Sequence, residues 1–216
     1  MLYQLAHPGN LLGIVVALVI GLLAHDAAQT LVAAGLGDDT ARRAGRLTAR
    51  AAQRLDPFGA VAAVITGWGW GSPVPVDERW RGRRYRMAAA LAIGPLTYVV
   101  LALVAVLALR AAQPGDAFGF GFLRYLGVTF AALAIVSVLP LPPLDGGRIM
   151  LLLAPQTLGW QKARYQLVDR NVGVAAALAI VLLPRLFPGL PGIIEQLYPP
   201  LLNGLWSLVG GSGVLA

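Results

Sequence analysis

Two residues with chemistry in them interrupt an apolar run. Leu11 to Ala24 carries no charge, His25 and Asp26 break in, and the apolar character resumes to Gly37. His25 and Gln29 are spaced i and i+4, so on a helix they share a face about one turn apart. Far along the chain, Asp145 follows a second uncharged run, Tyr125 to Leu144. An imidazole, a carboxamide and a carboxylate from two helices could hold a metal. They could equally form a hydrogen-bonded cluster that glues helices together, with His25 donating to Asp145. Asp145 is heavily punctuated: Pro140, Pro142 and Pro143 precede it, and Gly146 and Gly147 follow. The prolines stop a helix, and the glycines let the backbone turn sharply or approach a neighbour closely. The result is a carboxylate fixed on a rigid, irregular end.

The elements that must position these groups are membrane helices. The 216 residues are 57% hydrophobic and only 12% charged, against about 25% charged in a soluble domain. Such a chain cannot coat a globule with polar surface. That excludes an ordinary soluble enzyme and a disordered protein. It predicts an all-α polytopic membrane protein forming one domain over 1–216. There is no cysteine, hence no disulfide and no thiolate metal site. Ionisable groups inside a span are costly and mark sites. Of the ten acidic residues, only Asp26 and Asp145 fall within or at the end of an expected span.

A spanning helix needs about 20 residues. The uncharged runs predict four, roughly 10–35, 87–111, 122–143 and 171–188, with Asp145 at the inner end of the third and Arg185 snorkelling from the fourth. Pro57 to Val76 is also uncharged, but it holds Gly59, Gly67, Gly69, Gly71, Pro73 and Pro75. A re-entrant loop or short β element suits it better than a span. Segments 38–56, 77–86 and 148–170 carry 14 of the 17 basic residues, including Arg46, Arg50, Arg54, Arg79, Arg81 and Arg83. If 57–76 does not cross, all three lie on one face, which the positive-inside rule makes cytoplasmic. No positively charged region precedes the first apolar run, so that run is expected to be retained as a helix. The C-terminal helix and tail occupy 171–216. The tail from Pro188 is apolar, broken by Pro191, Pro199 and Pro200, and expected at the interface.

These motifs resemble those of site-2 proteases, the intramembrane zinc metalloproteases. LPLPPLDGGRI (139–149) is similar to the family's LPxPPLDGGR, and His25-Asp26-Ala27-Ala28-Gln29 stands where the family has HExxH. Between them, AGRLT (44–48), LDPFG (55–59), GWGSPVPV (69–76) and GPLTY (94–98) resemble the AGRLT, LDPxG, GWAKPVPV and GPLSN blocks, in family order. The resemblance covers about residues 20 to 150. It implies a three-helix core within about 10–150, in the compact branch lacking PDZ or CBS domains. It also implies a zinc ion held by two histidines and an aspartate, with a glutamate as general base.

The departures fall on the chemistry. His25 matches the first ligand and Asp145 the third, but Gln29 replaces the second histidine, and an amide oxygen is a poor zinc ligand beside imidazole. Asp26 replaces the general base with a side chain one bond shorter. Tyr98 replaces the asparagine of GPxxN, and Ser137 stands where a family asparagine often precedes the LLP run. Gly94, Pro95, Gly146 and Gly147 keep the scaffold. Two readings follow. One is a pseudoprotease with little zinc that binds a transmembrane partner, as regulator or subunit of a larger membrane complex. The other is an active zinc protease of transmembrane substrates with a modified site. In the first, no base is needed, and Asp26→Asn is expected to be tolerated. Trp68 and Trp70 would lie on one side of an extended strand. They could line a substrate or partner groove, or form an aromatic belt at the interface. The basic loops lack interleaved aromatics and suit anionic lipid rather than nucleic acid. The expected location is the bacterial plasma membrane.

Overall fold

The computed structural model describes residues 4–47, 54, 56–77, 84–113, 115–187, 189–213 and 215. Thr48, Arg50, Leu55, Arg79, Arg81, Arg83 and Pro188, used above, lie outside them. Among the described residues the helices are α1 (Pro8–Gly35), α2 (Thr40–Arg43), α3 (Pro57–Thr66), α4 (Arg84–Ala112), α5 (Ala117–Val138), α6 (Asp145–Leu153), α7 (Leu158–Arg164), α8 (Val172–Leu186) and α9 (Ile193–Leu208). A π-helical turn, Tyr165–Asp169, extends α7.

The protein is an all-α polytopic membrane protein. α1, α4 and α5 are each long and apolar enough to cross a bilayer, and they pack pairwise into a three-helix core. In lipid, close packing rather than water exclusion holds helices together. Gly9, Gly13, Ala17 and Gly21, four residues apart, bring α1 against α5. A Cβ on Gly9 would strike the Phe118 carbonyl oxygen, and one on Gly13 that of Phe122. The two backbones therefore touch, and a bulky residue at either position would force the helices apart. The far faces carry apolar side chains for lipid: Leu12, Val15 and Val19 on α1, and Leu96, Val100, Val104 and Leu107 on α4, all exposed.

The 57–76 run folds back on itself. α3 has ten residues, about 15 Å of helix against a hydrocarbon core of about 30 Å. Asp56 caps it by accepting from Gly59 N at 2.8 Å, Pro57 supplies the preset first φ, and Gly67 ends it at φ 96°. The chain then runs extended to Asp77 without forming a strand, Gly71 making an isolated bridge. Ser72 N donates to Arg54 O at 2.8 Å, so the two ends of the segment lie side by side.

Three boundaries differ from the sequence expectation. The third long helix is 117–138, not 122–143. Asp116 caps it early, accepting from Gly119 N at 2.6 Å, and Pro140 forces Leu139 into an extended conformation that ends it. Asp145 consequently belongs not to that helix but to the first turn of α6. The fourth expected span is a 15-residue α8, joined at a 64° bend to Leu158–Asp169. Its Arg185 stays exposed at the helix end. It pairs with Glu195 at 3.2 Å and lies 5.2 Å from the Trp68 ring centroid. In the tail, α9 runs through Pro199 and Pro200 without ending. Ile194, Leu202 and Leu205 are buried as α9 packs on α5 and α4, so tertiary packing outweighs the two missing N–H groups.

Candidate functional site

The core brings His25, Gln29, Tyr98 and Asp145 into contact. His25 Nε2 lies 2.7 Å from Asp145 Oδ2, and its Nδ1 lies 3.3 Å from Asp26 Oδ1. Gln29 Nε2 donates to Asp145 Oδ1 at 3.0 Å and to Leu91 O at 2.8 Å, and lies 3.4 Å from His25 Nε2. The amide orientation follows from its neighbours. Flipped, Gln29 would aim its oxygen at a carbonyl and a carboxylate, acceptor against acceptor. As oriented, its Oε1 is buried without a partner.

The scaffold residues make this approach possible. A Cβ on Gly94 would overlap His25 Nε2 and Gln29 Nε2. Pro95, one residue on, lacks the N–H that would bond Leu91 O within α4, which leaves that carbonyl for Gln29. A Cβ on Gly146 would strike Val138 O, and one on Gly147 the Leu141–Pro142 peptide. Both glycines let the 139–144 loop fold down on α6 and bring Asp145 to α1.

Asp26 faces a different set of partners from Gln29. It is 3% exposed, with Arg46 NH1 at 3.1 Å and Arg54 NH1 at 3.8 Å from its Oδ2. Arg54 also donates to Arg46 O at 2.6 Å. Arg46 continues to Ser72 O at 3.2 Å and Pro73 O at 2.9 Å, and Arg148 reaches Val74 O at 2.6 Å. Asp38 accepts from Asp77 N at 2.9 Å. The extended segment 72–77 is thus pinned along its length by charged side chains. That carboxylate neutralises buried guanidinium groups, a structural role beyond that of a base, so Asp26→Asn would carry a cost in folding.

Sequence reasoning placed Arg46 and Arg54 in a solvated cytoplasmic loop and missed this role. A readable signal existed: an intramembrane carboxylate needs a cation, and Arg46 lies inside the AGRLT block. The part played by Leu91 was also legible, as the carbonyl four residues before a mid-helix proline.

The two tryptophans part company. Trp70 lines a cavity of about 30 Å³ with His25, Asp26, Tyr98, Ser137 and Asp145. Trp68 packs instead against Tyr198, ring centroids 5.9 Å apart. Both are buried, so neither sits in a lipid-facing belt. The cavity has room for one or two water molecules, not for a peptide strand. Tyr98 stacks on the His25 imidazole, centroids 5.0 Å apart and planes at 21°. Ser137 turns its hydroxyl back to Ala134 O at 2.9 Å.

The residues do not fit a catalytic zinc. Such a site needs three protein lone-pair donors and an open position. Here Gln29 presents its two N–H protons to Asp145 and Leu91. Among the described residues, no group of three His, Cys, Asp or Glu could hold a metal.

Comparison with known proteins supplies the family. No family model matches the chain, and no solved structure matches it. A curated protein of Bacillus subtilis (strain 168), "Putative zinc metalloprotease YwhC", is 35% identical over 152 residues, 66% of this chain and 69% of that protein. The chain belongs to that zinc metalloprotease family. Within this metalloprotease family member, His25 and Asp145 are paired and the side chain beside them is a carboxamide.

Proposed function

We propose that the protein is a pseudoprotease of the site-2 branch, a single membrane domain that binds a transmembrane protein rather than cleaving it. The observation that carries this is the use of Gln29 and Asp26. The side chain at the second ligand position donates hydrogen bonds to Asp145 and Leu91. The side chain at the base position is the counter-ion of Arg46. Two positions that hydrolysis needs are committed to holding the fold. Tyr98 covers the imidazole where the branch has an asparagine, which agrees with the same reading. Basic segments 38–56, 77–86 and 148–170 support a cytoplasmic placement in a bacterial plasma membrane. The partner is then a transmembrane segment, with this chain as regulator or subunit of a larger complex.

The test uses the full chain in lipid vesicles, co-reconstituted with transmembrane substrates and supplied with zinc. The expected result is no cleavage above protein-free vesicles, together with a transmembrane protein retained through mild-detergent purification from the native cell. Zinc-dependent cleavage abolished by His25→Ala would overturn the proposal.

A further inference from the structure

We infer that the carboxamide of Gln29 takes the place of a metal ion in this site, and that the Leu91 carbonyl released by Pro95 is the group that positions residue 29. The inference rests on the family membership above and on the disagreement between that family's zinc chemistry and the donors present here.

A metal at this point would do one thing for the fold: join the carboxylate of α6 to the helices beneath it. Gln29 does the same with two protons. One goes to Asp145 Oδ1 at 3.0 Å, the other to Leu91 O at 2.8 Å. The link therefore runs α6–α1–α4 through a single amide nitrogen. Gln29 is 1% exposed and Asp145 6% exposed, so the link is made inside the core. A buried carboxylate left without such donors is strongly destabilising.

Leu91 is the less obvious part. In an unbroken helix its carbonyl would be taken by the N–H of residue 95. Pro95 has none, so the acceptor stays open on the side facing α1. An imidazole that ligates a metal through Nε2 normally gives its Nδ1–H to a carbonyl or carboxylate, which fixes the ring. Leu91 O, 2.8 Å from the side-chain nitrogen of residue 29, would offer such an acceptor to a histidine there. The chain thus has the acceptor without the histidine. The amide of Gln29 uses that acceptor and joins it to Asp145.

Four full-length proteins, purified in mild detergent, test this by zinc content and by melting temperature with EDTA or with added zinc. The wild type should carry no stoichiometric zinc, and its melting temperature should not move with either addition. Gln29→Glu keeps the shape but puts a carboxylate against Asp145 and Leu91 O. It should melt about 10 °C lower without metal and recover in zinc. Gln29→His should bind zinc stoichiometrically and melt higher in its presence. Adding Pro95→Ala to Gln29→His gives Leu91 O back to its own helix and should weaken zinc binding about 10–100-fold. Near-stoichiometric zinc in the wild type, or a wild-type melt lowered by EDTA, would overturn the inference. So would a metal-free Gln29→Glu protein as stable as the wild type. If Gln29→Glu does not fold, the last pair decides: equal zinc affinity with and without Pro95 removes the role of Leu91. A metal-free wild type that cleaves substrate would defeat the proposed function and leave this inference standing.

Discussion

Arg46 NH1 sits 3.1 Å from Asp26 Oδ2, joining a loop after α2 to the middle of the first membrane helix across twenty residues. Both side chains are largely buried. Removing one partner strands the other's charge, at a typical cost of about 3–5 kcal/mol. Asp26→Asn and Arg46→Gln should each lower the melting temperature by roughly 6–20 °C in detergent. The double substitution should cost less than the two added together. Additive losses would show that the pair does not interact.

Gly94 is a contact rather than a hinge. An alanine there would drive its methyl into His25 and Gln29. Overpacking of this kind costs about 1–3 kcal/mol. Gly94→Ala should lower the melting temperature by several degrees. In a Gln29→His background it should also reduce zinc uptake, because it displaces both side chains together. Unchanged melting and uptake would show that the helices can spread at no cost.

A 57–76 run that does not cross the bilayer makes a prediction about sidedness. The chain has no cysteine, so single cysteines report cleanly. Arg43 before the excursion and Tyr85 after it are both exposed, and cysteines at the two positions should label from the same side. A cysteine at Gly115, between α4 and α5, should label from the other. Labelling of positions 43 and 85 from opposite sides would mean that the 57–76 run crosses.

Asp38, just beyond the end of α1, carries a pH-dependent share of stability. Burial pushes its carboxyl up, but hydrogen bonds from Thr40 and from the Asp77 backbone N–H outweigh it, and the folded carboxyl lies below the usual carboxylate range. Folding therefore favours the charged form. Its stabilisation is fully present above the ordinary carboxylate range and is lost as pH falls through the lowered folded value. Asp38→Asn should be less stable than the wild type at neutral pH, with the gap closing in acid. A gap that stays constant from pH 7 to pH 3 would rule out this linkage.

Much of the architecture was written in the sequence because bilayer physics constrains it so tightly. Low charge and the uncharged runs around α1, α4 and α5 required membrane helices, since backbone in lipid must satisfy its own hydrogen bonds. Glycines and prolines between 57 and 76 required an excursion that no straight helix could make. The i, i+4 spacing of His25 and Gln29 placed them on one face before any fold was known. What the sequence could not determine was partnership. Hydropathy treats Arg46 and Arg54 as charges to be solvated, yet both find a buried partner in Asp26, because three dimensions bring distant segments together. It ran Asp145 on from the third long helix, whereas the prolines gave it a new helix of its own. It put Trp68 and Trp70 on one side, while only Trp70 reaches the cavity. Above all, Gln29 looked in one dimension like a missing ligand. Tertiary structure decided that its amide bridges Asp145 and Leu91, because only the packed core sets an acceptor freed by Pro95 beside a carboxylate more than fifty residues further along the chain.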